Sequence, residues 1–351
     1  MNRIAIAAAI LVALGGPAAA QRAGGTLTIA LNADIRSIEP GINRDANTDT
    51  AMHILYEGLV AHRADLSVGP SLAESWAIAD EGKTYLFTLR DGVTFHNGKP
   101  LTSAEVKWSW DREFAQAGWN CKRSFDGLGG LKVLAVEAPD PRTVIYRLQA
   151  PQALFLKQLA NVQCHVLVAH PDSVDAEGKW KTPIGTGPYR LKEWKRGEFV
   201  AFERFAGYKA GTTPLSGYAG ARTAHVDQVL FRVIPDSSTA EAALLTGAID
   251  ILPAVEPDRT AGLKQRGMVI QSAPGLSWGP LLIQTQDPLL SNVKIRRAIA
   301  HALDREQIAE VRTGGLARAN ASAVSESSAL FDKRFLDWPA YDVKRAQALL
   351  K

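Results

Sequence analysis

Short β-rich runs alternate with helix-start signals along most of the chain, and this alternation narrows the fold more than any other feature. Residues 26–31 (TLTIAL), 85–90 (YLFTLR), 199–204 and 228–234 carry the β-branched and aromatic residues that suit a pleated surface. Two more strands, 133–137 and 143–148, are joined by the turn Ala138-Pro139-Asp140-Pro141. Between the strands lie helices with recognisable starts and stops. Thr102 with Glu105 three residues on is a capping box, 237–246 is closed by Gly247, and 293–303 follows a cap at Ser291 or Asn292. Helices are also expected at 51–59, at 151–160 and behind Asp342 at 341–351, with shorter strands at 162–168, 249–251 and 268–271. With no internal repeat, the pattern predicts a mixed α/β protein.

The first twenty residues are read apart from this pattern. Met1-Asn2-Arg3 carries one positive charge, residues 4–14 are an uninterrupted apolar run, Gly15-Gly16-Pro17 breaks any helix, and Ala18-Ala19-Ala20 supplies small residues. That order predicts a secretory signal peptide over 1–20, cleaved between Ala20 and Gln21. Eleven apolar residues at ~1.5 Å each fall short of a ~30 Å hydrocarbon core, so a membrane anchor is not expected. The absence of a Cys at the cleavage site argues against a lipid-anchored form. The expected location is the periplasm. Export matters for Cys121 and Cys164, because an oxidising compartment permits them to pair. Two separately buried thiols are the alternative, and spacing does not decide between them.

Composition and motifs exclude more than they select. The 351 residues allow two or three domains, and 46% hydrophobic with 22% charged residues is ordinary for a globular protein. Lys and Arg number 40 against 36 Asp and Glu, a net charge of +4 interleaved along the chain, so no stripe tracks nucleic acid. There is no Walker-A loop, and Gly185-Thr186-Gly187 lacks the third glycine of a dinucleotide fingerprint. Ser291-Asn292-Val293-Lys294 fits S-x-x-K, the start of a penicillin-interacting hydrolase, but the K-T-G and S-D-N partners are absent. The seven histidines are dispersed and none pair at helical spacing, so neither a metal nor a cofactor is expected. No catalytic residue is assigned. Trp119, Trp278 and Trp338 lie in loop-like segments where a ring is available to a ligand.

The order of longer motifs is more specific. Residues 55–60 (LYEGLV), 71–76 (SLAESW), 87–102 (FTLRDGVTFHNGKPLT), 185–189 (GTGPY) and 293–305 (VKIRRAIAHALDR) form one series. The series resembles the peptide/nickel (family 5) solute-binding proteins of ABC importers. The resemblance implies an α/β, two-lobe periplasmic binding protein, type II-like, with an inserted extra subdomain. Lobe I would take 21–65 and 184–272, the insertion 66–183, and lobe II would begin at 273. In that family the helix near 341–351 is interior, so the second lobe is expected to be incomplete. The implied function is capture of oligopeptide- or dipeptide-like solutes for delivery to an ABC permease and ATPase in the inner membrane, by a monomer. A metal chelate or other small solute is the alternative within the family; an exported serine hydrolase acting through Ser291 is the alternative from another class. Carried over by position, Arg44, Asp45 and Ala46 line the ligand loop, Trp278 is an aromatic wall, and Trp119 is a further candidate from the insertion. Pro280 departs from the aromatic residue common thereabouts.

Overall fold

The structure is a computed structural model and describes residues 23–351 apart from 43, 273–278, 323, 327, 329, 330 and 338. In chain order the elements are β1 (Thr26–Leu31), α1 (Ala46–Leu55), β2 (Val60–His62), β3 (Val68–Pro70), β4 (Ala73–Ala79), β5 (Thr84–Leu89) and α2 (Ser103–Ala115). They continue with β6 (Val133–Asp140), β7 (Thr143–Leu148), α3 (Phe155–Leu159), β8 (Tyr189–Lys195), β9 (Phe199–Arg204), β10 (Gln228–Val233) and α4 (Ser237–Leu245). Last come α5 (Thr260–Gln265), α6 (Val293–Ala302), α7 (Arg305–Thr313) and α8 (Val343–Leu349). The chain divides into two compact units at Pro253/Ala254.

The first unit holds two four-stranded sheets. One runs β1-β10-β9-β8, with β1 and β10 parallel and the other pairs antiparallel. Phe202 and Phe231 meet edge to face at 5.7 Å in its core, alongside Leu31, Met52, Leu55 and Val200. The other sheet, β4-β5-β7-β6, is antiparallel throughout and comes entirely from residues 73–140 and 143–148. Its core is aromatic: Trp110 stands edge-on to Tyr146 at 5.1 Å, with Phe87, Phe95, Phe125 and Phe155 around them. Val106, Ser109, Trp110 and Glu113 form the buried stripe of α2, the three-to-four spacing of a helix lying on a layer. Thr102 and Glu105 close the capping box reciprocally.

Several expected elements differ. The first helix begins at Ala46 and ends at Leu55, because Asp45 caps it and Tyr56 is already extended. Residues 162–168 form no strand; the Asn161 side chain accepts from the Gln163 and Cys164 amides and folds Val162–Cys164 into a 3₁₀ turn. Strand β4 and helix α7 are additions, the latter closed by Gly314 in the left-handed region at φ +56. Residues 268–272 form no strand; the Met268 amide instead donates to Leu263 O at 3.0 Å. In that second unit α6 packs on α8, burying Ala298 and Ala346. Asp342 caps α8 while its own amide donates to His301 O at 2.8 Å.

Candidate functional site

The parallel pair determines where a ligand can be met. Register from Thr26↔Gln228 to Leu31↔Val233 brings β1 and β10 to the same level, so loop 32–45 and the turn into α4 leave from one edge. Ile251 adds a further parallel bridge, to Ile29. Where strands run parallel, the crevice beyond their carboxyl ends carries loops and helix N-termini free of sheet duties, and ligands gather there. Asn32, Ala33, Asp236, Ser237 and Ser238 are exposed at this edge. The amide of Asn47 donates to Asn32 Oδ1 at 2.8 Å and to Ala33 O at 3.1 Å, which orients the asparagine pair.

Residues 34–41 of the loop are held by partners far away in sequence. Asp34 accepts from Trp194 Nε1 at 3.0 Å and from the Gly197 amide at 2.9 Å, both in the β8–β9 hairpin. Arg196 lies 3.6 Å over the Trp194 ring and donates to the Ile35 and Arg36 carbonyls. Tyr56 Oη donates to Ile38 O, and Arg112 on α2 pairs with Glu39 at 2.6 Å. Gly41 has φ +81 and a Cβ there would stand 3.0 Å from the Glu113 backbone, so conformation and contact both require glycine. A loop fixed in this way offers preset donors and acceptors, and its ordering entropy is already spent before a ligand arrives.

The residues singled out from the sequence fall into different environments. Asp45 is the N-cap of α1, accepting from the Thr48 amide at 2.9 Å and pairing with Arg36 at 2.8 Å. Burial pushes its carboxyl up, but the Thr48 and Arg36 hydrogen bonds outweigh it and hold the group below its usual value. Ala46 is exposed at the first turn of α1. Arg44 has no exposed side-chain surface: Nε pairs with Asp49 at 2.7 Å and Nη2 donates to the carbonyls of Val162, Gln163 and His165. Its task is therefore internal. Trp119 is buried, its ring stacked on Phe125 at 6.4 Å within the aromatic core, and presents no open face. Trp278 and Trp338 lie outside the described residues. Cys121 and Cys164 are joined in a disulfide with 5.3 Å between Cα atoms. Asp34, Arg36, Asn32, Trp194 and Arg196 carry no local signal, because their meeting spans up to 160 positions.

Beneath the loop lies a layer of buried ionisable groups. Glu57 Oε1 accepts from Arg90, Arg222 and Tyr208, each at 3.2 Å. His53 Nε2 donates to Val162 O at 3.1 Å, and its ring lies 5.6 Å from that of His165. Burial lowers both histidines, His53 to about 3, so both are neutral near pH 7. Burial raises Glu113 to about 8 against the opposing pull of Arg44 and the Leu167 amide. These groups are enclosed; Glu57 is met by side chains, His53 and Glu113 by backbone groups. Among the described residues no three or more His, Cys, Asp or Glu converge on a metal position. A hollow of about 520 Å³ lined by Arg123, Leu128, Leu131, Gln152, Leu154 and Gln158 shares no residue with the loop.

The hydrolase alternatives find little geometry. Ser291 Oγ donates to Pro288 O at 2.9 Å, and Asn292 caps α6 at the Lys294 amide. Gly275-Leu276-Ser277-Trp278-Gly279 spells G-x-S-x-G, but residues 268–272 before it form no strand and 279–284 after it form no helix. A nucleophile elbow needs both.

Comparison with known proteins places the chain. Residues 67–351 match the bacterial extracellular solute-binding proteins, family 5 Middle. The chain belongs to this family. Family 5 relatives include the glutathione-binding protein GsiB of Salmonella typhi, 27% identical over 328 residues, covering 93% of this chain and 60% of the relative. The dipeptide-binding protein of Escherichia coli K12 is 29% identical over 319 residues, covering 85% of this chain and 57% of the relative. This chain thus spans about 60% of the length of such relatives. The periplasmic binding protein DppA from Helicobacter pylori, solved with the peptide STSA, superposes with TM-score 0.79 at 26% identity, covering 94% of this chain and 66% of the other. The fold class is accordingly the α/β class of the two-lobe periplasmic binding proteins. No helix among the described residues is long and apolar enough to cross a membrane.

Proposed function

We propose that this protein is the solute-capturing component of an ABC importer, binding small peptides of dipeptide to oligopeptide size and passing them to a membrane permease and its ATPase. The carrying observation is loop 32–45, immobilised by Trp194, Arg196 and Arg112 at the carboxyl edge of β1 and β10. An extended peptide is recognised chiefly through its main chain, which calls for a rigid edge of donors and acceptors with tolerant surroundings. Relatives named for glutathione and dipeptides support that solute class. In this reading residues 21–65 and 184–272 make lobe I, 66–183 the inserted subdomain and 273–351 lobe II. The protein is exported by the 1–20 signal, works as a monomer in the periplasm and catalyses nothing. Trp278 serves as the aromatic wall, with Asn32, Arg36 and Asn47 at the loop.

Native mass spectrometry of the periplasmically expressed chain, followed by calorimetric titration with alanyl-alanine and glutathione, tests the reading. Co-purified peptide, or a peptide Kd in the range of about 1 μM, is expected. Recovery of a metal chelate alone, with no heat from either peptide, would replace peptides by chelates as the solute. Covalent labelling of Ser291 by a β-lactam would overturn the binding-protein reading itself.

A further inference from the structure

We infer that the Cys121–Cys164 disulfide makes Arg44 a positioning residue for the solute-facing loop, so that reducing the disulfide loosens the loop; the inference rests on the reading of loop 32–45 given above. Arg44 stands at the end of that loop, and its Nη2 is met by three carbonyls, of Val162 and Gln163 at 2.9 Å and of His165 at 3.4 Å. Three neutral acceptors converge on one guanidinium nitrogen only while the backbone of 162–165 keeps its curl. That curl is a single 3₁₀ turn, which is marginal by itself.

Two things hold it. One is local: Asn161 accepts from the Gln163 and Cys164 amides. The other is covalent. Cys164 is tied to Cys121, in the turn Asn120–Ser124 whose two ends are Trp119 and Phe125, both buried in the aromatic core. The disulfide therefore lends the rigidity of the inserted sheet to the carbonyls that cradle Arg44. From Arg44 the path continues through Asp49 into α1, whose cap Asp45 grips Arg36 in the middle of the loop. His53 adds a parallel tie from α1 to Val162 O. Both cysteines are half-buried rather than sealed, so a small dithiol can reach the bond. Reduction breaks one S–S bond with two electrons and two protons, leaving two thiols here and a disulfide in the reductant.

Hydrogen exchange on the whole chain tests this, comparing the oxidised protein, the protein reduced with dithiothreitol and the Cys121→Ser/Cys164→Ser variant. The amides of Arg36, Thr48 and Asp49, all hydrogen-bonded within the loop and its cap, should exchange about tenfold faster in the last two, with β5 and β7 unchanged. Acceleration confined to 119–126 and 161–165 would overturn the inference. If the serine variant loses β5 and β7 protection as well, Arg44→Lys in the oxidised protein decides. Lysine cannot present a guanidinium fork to Asp49 and three carbonyls together, so faster loop exchange is expected there and unchanged exchange overturns the coupling. Alanyl-alanine titration of both redox forms separates the two readings. Equal affinity in both forms defeats the inference, whereas no binding in either form, with loop exchange still redox-dependent, defeats the peptide reading alone.

Discussion

Glu113 and His53 share one buried layer and pull the pH dependence of stability in opposite directions. Burial first, against Arg44 and the Leu167 amide, lifts Glu113 from 4.5 to about 8 in the fold. Between those values the unfolded chain ionises and the folded chain keeps its proton, so stability falls as pH rises through the window. Glu113→Gln should abolish that slope; chemical denaturation at pH 5 and pH 8 should show the wild type losing up to about 4 kcal/mol that the variant keeps. An equal slope in both would show that Glu113 ionises freely in the folded state. His53 behaves conversely. Burial lowers it from 6.5 to about 3, so stability present above pH 6.5 is lost as the pH falls toward 3, and His165 adds to the same trend. In His53→Gln, whose amide can still donate to Val162 O, acid unfolding should begin at lower pH. Neither effect was legible in the sequence, which marks Arg44 for a ligand loop and leaves His53 and Glu113 without a distinguishing motif. Their burial follows from the packing of α1 and α2 against the connector 161–170.

Elements explain why certain motifs recur as a series. Gly185 and Gly187 have no unusual dihedral need; a Cβ at either would lie 2.1 or 2.3 Å from the carbonyl oxygens of Leu55 and Ile54. Gly187 N donates to Leu55 O, and His96 binds Gly185 and Gly187 through backbone and ring. The GTGPY and FHNG motifs are thus one joint, clasping the end of α1. Gly187→Ala should cost about 3 kcal/mol, read as a lower denaturant midpoint at unchanged m-value. The disulfide belongs to this scale as well. It closes 43 residues of chain, and its removal should cost about 2–4 kcal/mol in the same measurement, although the loop exchange above is its more specific signature. Strands β1, β7 and β9 are legible because β-branched or aromatic residues make up half or more of each. Strand β4 was missed, an edge strand with five of seven residues exposed and hence no alternating signal.

For the molecule as a whole, the proposed role makes ligand linkage the natural readout. A peptide at about 100 times its Kd should stabilise the folded chain by about 2.7 kcal/mol, visible as a raised melting temperature. Trp278→Ala should weaken peptide binding by about 1–3 kcal/mol if its ring is an anchor, with the melt of the free protein unchanged; unaltered affinity would remove it from the site. The sequence by itself determined the α/β class, the family, most strand positions and the caps at Thr102 and Asp342, because periodicity and capping act over a few residues. Tertiary structure alone decided that Arg44 faces inward, that Trp119 fills a core, and that Asp34 meets Trp194 across 160 positions. Whether a polar side chain lines a site or braces it depends on which distant backbone arrives beside it. That is set by packing between sheets and helices and leaves no trace in local spacing.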